Sequence, residues 1–455
     1  MSTGTHPPQE FVMAPAKLTR RTLLTGTAAA AGLALAGCSS STDEAAAPPS
    51  RKPGEKITLA FWSWVPGIEK SVDLWNSKNP EVQVKLEKVI AGNKGAYPKM
   101  FAALKAGNPP DLGQVEYQQI PSFLLEEGLT DLTKLGINDH AGKFVDWQWQ
   151  QGVFGDGVYA VPQASGPMGM YYREDRFKAW GVQPPTTWDE FETAARAIRK
   201  ADPKSYICSF PPTSGGWFSA MSWQAGAKWF DVRGDDWVVN IDSEQTRQVA
   251  TYWEKLIRAD LVKPEPDQQS GWFAEVQAGT IGCWVAAQWG DAILAGNAAN
   301  TSGKWRVAQM PQWDLAKPAS SNWGGSSTAV LNGSKYPKEA LEFALWLNTD
   351  PASVDLLIQG GYGWPAAKDA FSGSALDKPS PFFGNAKYNE VFAKSDQLID
   401  KSWKWIPTIS DTHRHLGDAI TAAIAKKTSF ADAIATVQQQ TVADLTAKGL
   451  KVATA

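Results

Sequence analysis

Tryptophan is the residue type from which the chemistry of this chain has to be argued. Its 455 residues hold 22 Trp against 18 Phe and 10 Tyr, an order reversed from that of a chain using aromatics only as core filler. An indole offers a flat apolar face and one N–H donor, so at a strand or loop end it can stack on a ligand while carboxylates and amides bond the ligand's rim. Trp62 and Trp64 stand at the end of one apolar run, and Glu116 and Tyr117 at the end of another. Trp188, Trp253 and Trp346 fall at helical spacing and read as core. Other chemistries have less to rest on, because the chain has no Gly-x4-Gly-Lys-Ser/Thr loop, no Gly-x-Ser-x-Gly, no His-Glu-x-x-His and no zinc-spaced cysteines. Asp411, His413 and His415 are too few for a metal site and read as a helix start, so no metal and no cofactor is expected.

Forty-four Lys and Arg against 47 Asp and Glu leave a net charge of -3, which gives no electrostatic footprint for nucleic acid. With 43% hydrophobic and 20% charged residues, the chain should fold as a soluble globule of two or three domains or one bilobed body. Its first 37 residues read as an export signal. Lys17, Arg20 and Arg21 precede the uncharged apolar stretch 22–37, which spans about 24 Å as a helix, short of a hydrocarbon core of about 30 Å. The Arg20-Arg21 pair is similar to a twin-arginine signal, the general secretory route being the alternative. Leu35-Ala36-Gly37-Cys38 is similar to the bacterial lipobox, whose cysteine is acylated and becomes the new N-terminus, an anchor to the bilayer rather than a span. Residues 38–55 mix Ser, Ala, Pro and charge and read as a flexible tether. The remaining cysteines, Cys208 and Cys283, are either a disulfide or two packed thiols.

The elements that must position these groups alternate between strand and helix. Ile57, Leu59 and Phe61 predict a strand, and Ile68, Val72 and Trp75 a helix. Val82, Val84 and Leu86 predict a second strand, Tyr97, Met100, Phe101 and Leu104 a second helix, and 111–115 a third strand. This order implies a parallel sheet, whose ligands bind at the carboxyl ends of the strands. Further on, Thr187 and Glu190 are spaced as a capping box before a helix. Residues 206–210 and 280–285 read as strands, and 244–258, Pro337 to Trp346 and 416–447 as helices.

Four stretches then carry a resemblance: ITLAFWSW at 57–64, PPDLGQVEYQQIPSFLLEEGLTDLT at 109–133, YAVPQASGPMGMYYREDRFKAWGVQPPTTWDEF at 159–191 and VQAGTIGCWVAAQWGDAILA at 276–295. Together with the lipobox they resemble the extracellular solute-binding proteins of ABC importers, in the sugar-binding cluster that includes maltose-binding protein. The resemblance implies a bilobed α/β fold of the type II periplasmic-binding-protein kind. By analogy, lobe one holds 56–163 and 310–350, and lobe two 164–309 and 351–455. It also implies a monomer on the outer face of the cytoplasmic membrane, handing its ligand to permease subunits and catalysing nothing.

A pyranose has an apolar C–H face and a rim of hydroxyls, so a sugar cleft asks for stacking indoles beside polar groups. On that reading the ligand-binding candidates are Trp62, Trp64, Glu116 and Tyr117 from lobe one, with Gln163 and Ser165 at the hinge. Trp217, Trp223, Trp289 and Asp291 come from lobe two, then Trp323 and Gly324, Trp364, and His413 with Arg414. His413 and Arg414 fall where the family places a stacking aromatic, which implies a polar contact there instead. Two rivals remain: the same fold carrying a polyamine, glycerol phosphate or another small solute, and an exported glycoside hydrolase working through two carboxylates.

Overall fold

The computed structural model describes residues 50–370 and 374–453. The expected export signal, the lipobox with Cys38 and residues 39–49 of the tether lie outside the described residues. The end of the expected tether is not free. The Arg51 amide donates to Glu339 Oε1 at 2.9 Å and its guanidinium pairs with Glu81 at 2.9 Å, while Tyr336 Oη donates to Glu55 Oε1 at 3.1 Å. Charges that read as solvated in a Pro-rich run have partners waiting on the body, so 51–55 belong to it.

The first elements are those the periodicity predicts: β1 (Ile57–Ser63), α1 (Ile68–Lys78), β2 (Val82–Lys88), α2 (Ala96–Lys105) and β3 (Leu112–Glu116). β1 pairs in parallel with both β2 and β3, as right-handed crossovers require. α1 turns Ile68, Val72 and Trp75 onto the sheet. Three later strands complete a six-stranded sheet in the order Trp364–Pro365, Val161–Ser165, Ser326–Val330, β3, β1, β2. All three late pairings are antiparallel, so the sheet is mixed.

A second sheet runs Lys263–Pro264, Tyr206–Phe210, Ile281–Ala287, Met168–Arg173, Trp305–Ala308. Its central strand Ile281–Ala287 is buried at every position, as expected of a strand with helices on both faces. The helix Trp188–Ala201 starts as its capping box predicts, with Thr187 Oγ1 accepting from the Glu190 amide, although the Glu190 carboxylate returns to Thr186 rather than to Thr187. Each sheet has its own hydrophobic core.

Three expected lobe boundaries move: strand Val161–Ser165 lies whole in the first sheet, so 164 and 165 stay with lobe one. The helix Pro351–Gly360 packs on α1, where Ser71 Oγ donates to Ser353 O at 3.1 Å, and Trp364–Pro365 is an edge strand of the first sheet; 351–365 therefore lie with lobe one. Met310 sits in the second core, and Trp313 lies 5.7 Å from Trp188, so 310–313 stay with lobe two. The analogy set those limits, whereas apolar partners decide them.

Cys208 and Cys283 are in-register neighbours on adjacent parallel strands, and both are free, buried thiols. Burial pushes the Cys208 thiol well above its ordinary value. Both thiols should therefore ignore a thiol-specific reagent in the native protein and react stoichiometrically in denaturant without reductant. Silence in denaturant would mean a bridge.

Candidate functional site

The two sheets meet at crossing segments near residues 166 and 322, and the turn at Gly363 packs against Ser165 beside them. The Gly166 amide donates to Asn322 Oδ1 at 2.7 Å, and the Trp323 amide to Gly166 O at 2.9 Å. A Cβ at Gly166 would stand 2.1 Å from Trp323 O, so only glycine allows the crossings to touch. Gly324 and Gly325 follow with φ of 80° and 96° and turn the chain into strand Ser326–Val330.

At this turn the two lobes bring side chains together. Trp289, at the start of the helix Gly290–Asn297, donates its indole N–H to Trp323 O at 3.0 Å. The Trp289 and Trp323 rings lie 4.8 Å apart at 60°, and both are half-buried. A Cβ on Gly324 would be 3.4 Å from Trp289 Nε1 and 3.9 Å from Glu116 Oε1, so a lobe-two indole and a lobe-one acid face the same point. Glu116 accepts from Tyr97 Oη at 2.8 Å, and Trp64 meets the Tyr97 ring edge-on at 5.7 Å. Burial raises the Glu116 pKa, against the bonds from Tyr97 and Gln118 that favour its charge. The Tyr117 ring packs under Gly325, with its hydroxyl on Gln148 at 3.2 Å. Gln163 and Ser165 lie buried in the crossing strand, and Gln163 Oε1 and Ser165 Oγ have no partner.

On the far side, the helix Gly215–Gln224 presents Gly216 to Trp323, and the His413 ring closes the corner. A Cβ on Gly216 would be 3.2 Å from Trp323 Nε1 and 3.7 Å from His413 Cε1. His413 Nε2 is buried without a partner, and Trp405 meets the imidazole edge-on at 6.3 Å. Burial lowers the His413 pKa to about 4. Between that value and the unfolded 6.5 the unfolded chain holds a proton that the folded chain does not, so acidification through this window subtracts stability. The melting temperature of His413→Asn should therefore gain on the parent as pH falls from 7 to 4.5; a constant difference would mean that the imidazole titrates as if in water.

Protein atoms alone tie the lobes at the rim. Ser410 Oγ bonds both Gln119 Nε2 at 2.9 Å and Asn93 Oδ1 at 3.0 Å. Ser122 Oγ donates to Pro407 O at 2.6 Å, and Lys448 pairs with Glu126 at 3.2 Å.

Other candidates go elsewhere. Trp62 lies along α2 with the Lys99 ammonium 4.0 Å over its ring. Trp217 is 2% exposed and donates to Val285 O, while Trp223 is 3% exposed, stacked on Trp403 at 4.7 Å. Both belong to the lobe-two core, since every residue of their helix but Gly216 is buried and both indoles lie in that core. The Asp291 carboxylate accepts from Gln288 and Tyr388, and its pKa rises to about 6 through burial. Trp364 is buried in the edge strand of the first sheet. Arg414 is on the solvent face of its helix, paired with Asp411 and Asp418. Among the described residues no cluster of three or more His, Cys, Asp or Glu is placed to hold a metal.

Some cleft residues carried no legible signal. Asp267, its pKa raised by burial, accepts from Trp284 Nε1 at 3.1 Å, and Trp284 touches Trp289 at 6.0 Å. Gly216 lies in the first turn of a helix whose sequence signal is Ser214, which caps it through the Trp217 amide. Nothing in the spacing of Gln119 and Ser410 pairs them.

The sequence profile described as bacterial extracellular solute-binding protein matches residues 62–354. The chain is 24% identical over 357 residues to the lactose-binding protein of Rhizobium radiobacter, covering 74% of this chain and 81% of that protein. It is 25% identical over 299 residues to the diacetylchitobiose binding protein of Streptomyces coelicolor, covering 64% and 68%. Among solved structures it is similar to the galacto-N-biose/lacto-N-biose I-binding protein of the ABC transporter from Bifidobacterium longum, in complex with lacto-N-biose, with a TM-score of 0.80 and 28% identity over 88% of this chain and 100% of that one. A sugar-binding protein from Xanthomonas citri matches at 18% identity with a TM-score of 0.68, over 84% of this chain and 96% of that one, a likeness of fold. The fold is the bilobed type II periplasmic-binding-protein fold.

Proposed function

The chain belongs to the bacterial extracellular solute-binding protein family, and from that premise we propose that it is the lipid-anchored, monomeric receptor of an ABC importer, capturing a saccharide between its lobes and delivering it to membrane permease subunits. The observation that carries this reading is the Trp289–Trp323 pair facing Glu116 across Gly324, one indole surface and one carboxylate contributed from opposite lobes. Relatives named for lactose, diacetylchitobiose and lacto-N-biose support a sugar as cargo. A polyamine asks for several free carboxylates beside the aromatics, and of Glu116 and Asp291 the second is committed to Gln288 and Tyr388. Closure follows from linkage: a ligand favours the closed form only by touching both lobes, and the crossing segments absorb the motion.

A thermal-shift screen of residues 39–455 against sugars, polyols, polyamines and glycerol phosphates tests the cargo. A ligand at one hundred times its dissociation constant adds about 2.7 kcal/mol, a clear rise in melting temperature. The expected hit is a sugar recovered unchanged; a cleaved sugar would make the chain a hydrolase, and a shift with a polyamine alone would overturn the substrate. Anchoring is tested separately: Cys38→Ala should move the protein from the membrane fraction to the medium, since stable attachment needs the acyl chains that the thiol accepts.

A further inference from the structure

Hydrogen-bond donors converge on the lobe-two wall of the cleft with nothing among the described residues to accept from them. The helix Gly215–Gln224 begins there. Its first turn leaves N–H groups that the helix cannot satisfy. Ser214 Oγ takes the Trp217 amide at 3.4 Å, and the Phe218 amide is the first to close onto Ser214 O, so the amides of Gly215 and Gly216 remain. Two further donors stand beside them. Trp323 Nε1 is 3.2 Å from the position of a Gly216 Cβ and has no partner among the described residues. His413, with Cε1 3.7 Å from the same point, has Nε2 buried and unpartnered. Burial keeps that imidazole neutral, so in the Nε2–H tautomer it is a donor as well.

The glycines keep this corner bare. A Cβ at 215 would strike the His413 backbone at 2.5 Å, and one at 216 would press on the Trp323 indole. The nearby charges are turned away: Asp411 and Arg414 pair with each other at 3.1 Å, and Glu116 is held by Tyr97 on the opposite lobe. A sugar hydroxyl fits such a corner poorly, because it also carries a proton that needs an acceptor. A carboxylate only accepts, has about four lone-pair sites for the four donors, and carries the charge that a helix N-terminus favours. Phosphate would ask for a cation as well, and Arg414 is engaged elsewhere.

We propose that the saccharide is acidic, and that the carboxylate of a uronic acid unit seats on the N-terminus of helix Gly215–Gln224, bonded by the Gly215 and Gly216 amides with Trp323 Nε1 and His413 Nε2 closing over it. This rests on the saccharide-receptor reading and names the class of sugar. The test is calorimetric titration of the purified protein with neutral disaccharides, with aldobiouronic acids of the same linkages, and with the corresponding sugar phosphates. The acids should bind at least tenfold tighter than their neutral counterparts. Trp323→Phe, which keeps a ring and removes the donor, and His413→Phe should each cut the ratio of acid to neutral affinity at least threefold, whatever each does to neutral-sugar affinity itself. Two variants guard against one failing to fold, and melting curves check both. Neutral sugars binding as tightly as the acids, or phosphates binding tighter still, would overturn the proposal and leave the receptor reading standing. No binding of any saccharide would bring down that reading itself.

Discussion

Trp289→Ala should weaken saccharide binding about a hundredfold while lowering the melting temperature by only a few degrees. The indole is half-buried, meets Trp284 and Trp323 in edge contacts, and offers its exposed part to a pyranose face. A stacked aromatic that buries on the order of 100 Å² of apolar surface, with its specific ring contact, contributes about 3 kcal/mol. The folded body keeps most of its contacts, and the loss concentrates on the bond from Nε1 to Trp323 O. Calorimetry beside a melting curve separates the two effects. A fall in melting temperature of more than about ten degrees with affinity intact would make Trp289 a packing residue.

Trp217→Ala should do the reverse. Its ring meets Phe210 at 5.5 Å and Trp253 at 5.2 Å, and its N–H is bonded to Val285 O at 2.9 Å. Truncation opens a cavity and leaves that carbonyl unpaired in the core, a cost of about 3–5 kcal/mol. Denaturant unfolding should show a large drop in midpoint, and the fraction still folded at low temperature should bind ligand within a few fold of the parent. Lost affinity at nearly unchanged stability would put Trp217 in the cleft.

These two tryptophans also show how far sequence reasoning reaches. The first five elements were legible because alternation at period two and stripes at helical spacing are local properties, and Thr187 capped its helix as its spacing required. The rule that parallel strands carry ligands at their carboxyl ends singled out Glu116, Tyr117 and Trp64, and the structure gathers Glu116 and Trp64 around Tyr97 at that end. Trp217 and Trp223 misled because residue type alone does not separate a stacking indole from a core one; Ser214 starts a helix in which every residue but Gly216 is buried. Asp291 was spent on Tyr388, a partner 97 residues away that no local pattern reveals. The lobe limits at 310 and 351 failed likewise, since sheet membership is decided by contacts remote in sequence.

The contacts of Ser410 with Asn93 and Gln119, with the Ser122 and Lys448 bonds beside them, have a kinetic meaning. Each favours the shut conformation whatever lies inside. Strengthening them slows escape of a trapped molecule, but it also shrinks the fraction of receptors whose mouth is ajar, and capture slows in proportion. Ser410 therefore sits on a trade-off between holding time and loading rate, and substitution there can retune throughput without altering which molecule is chosen.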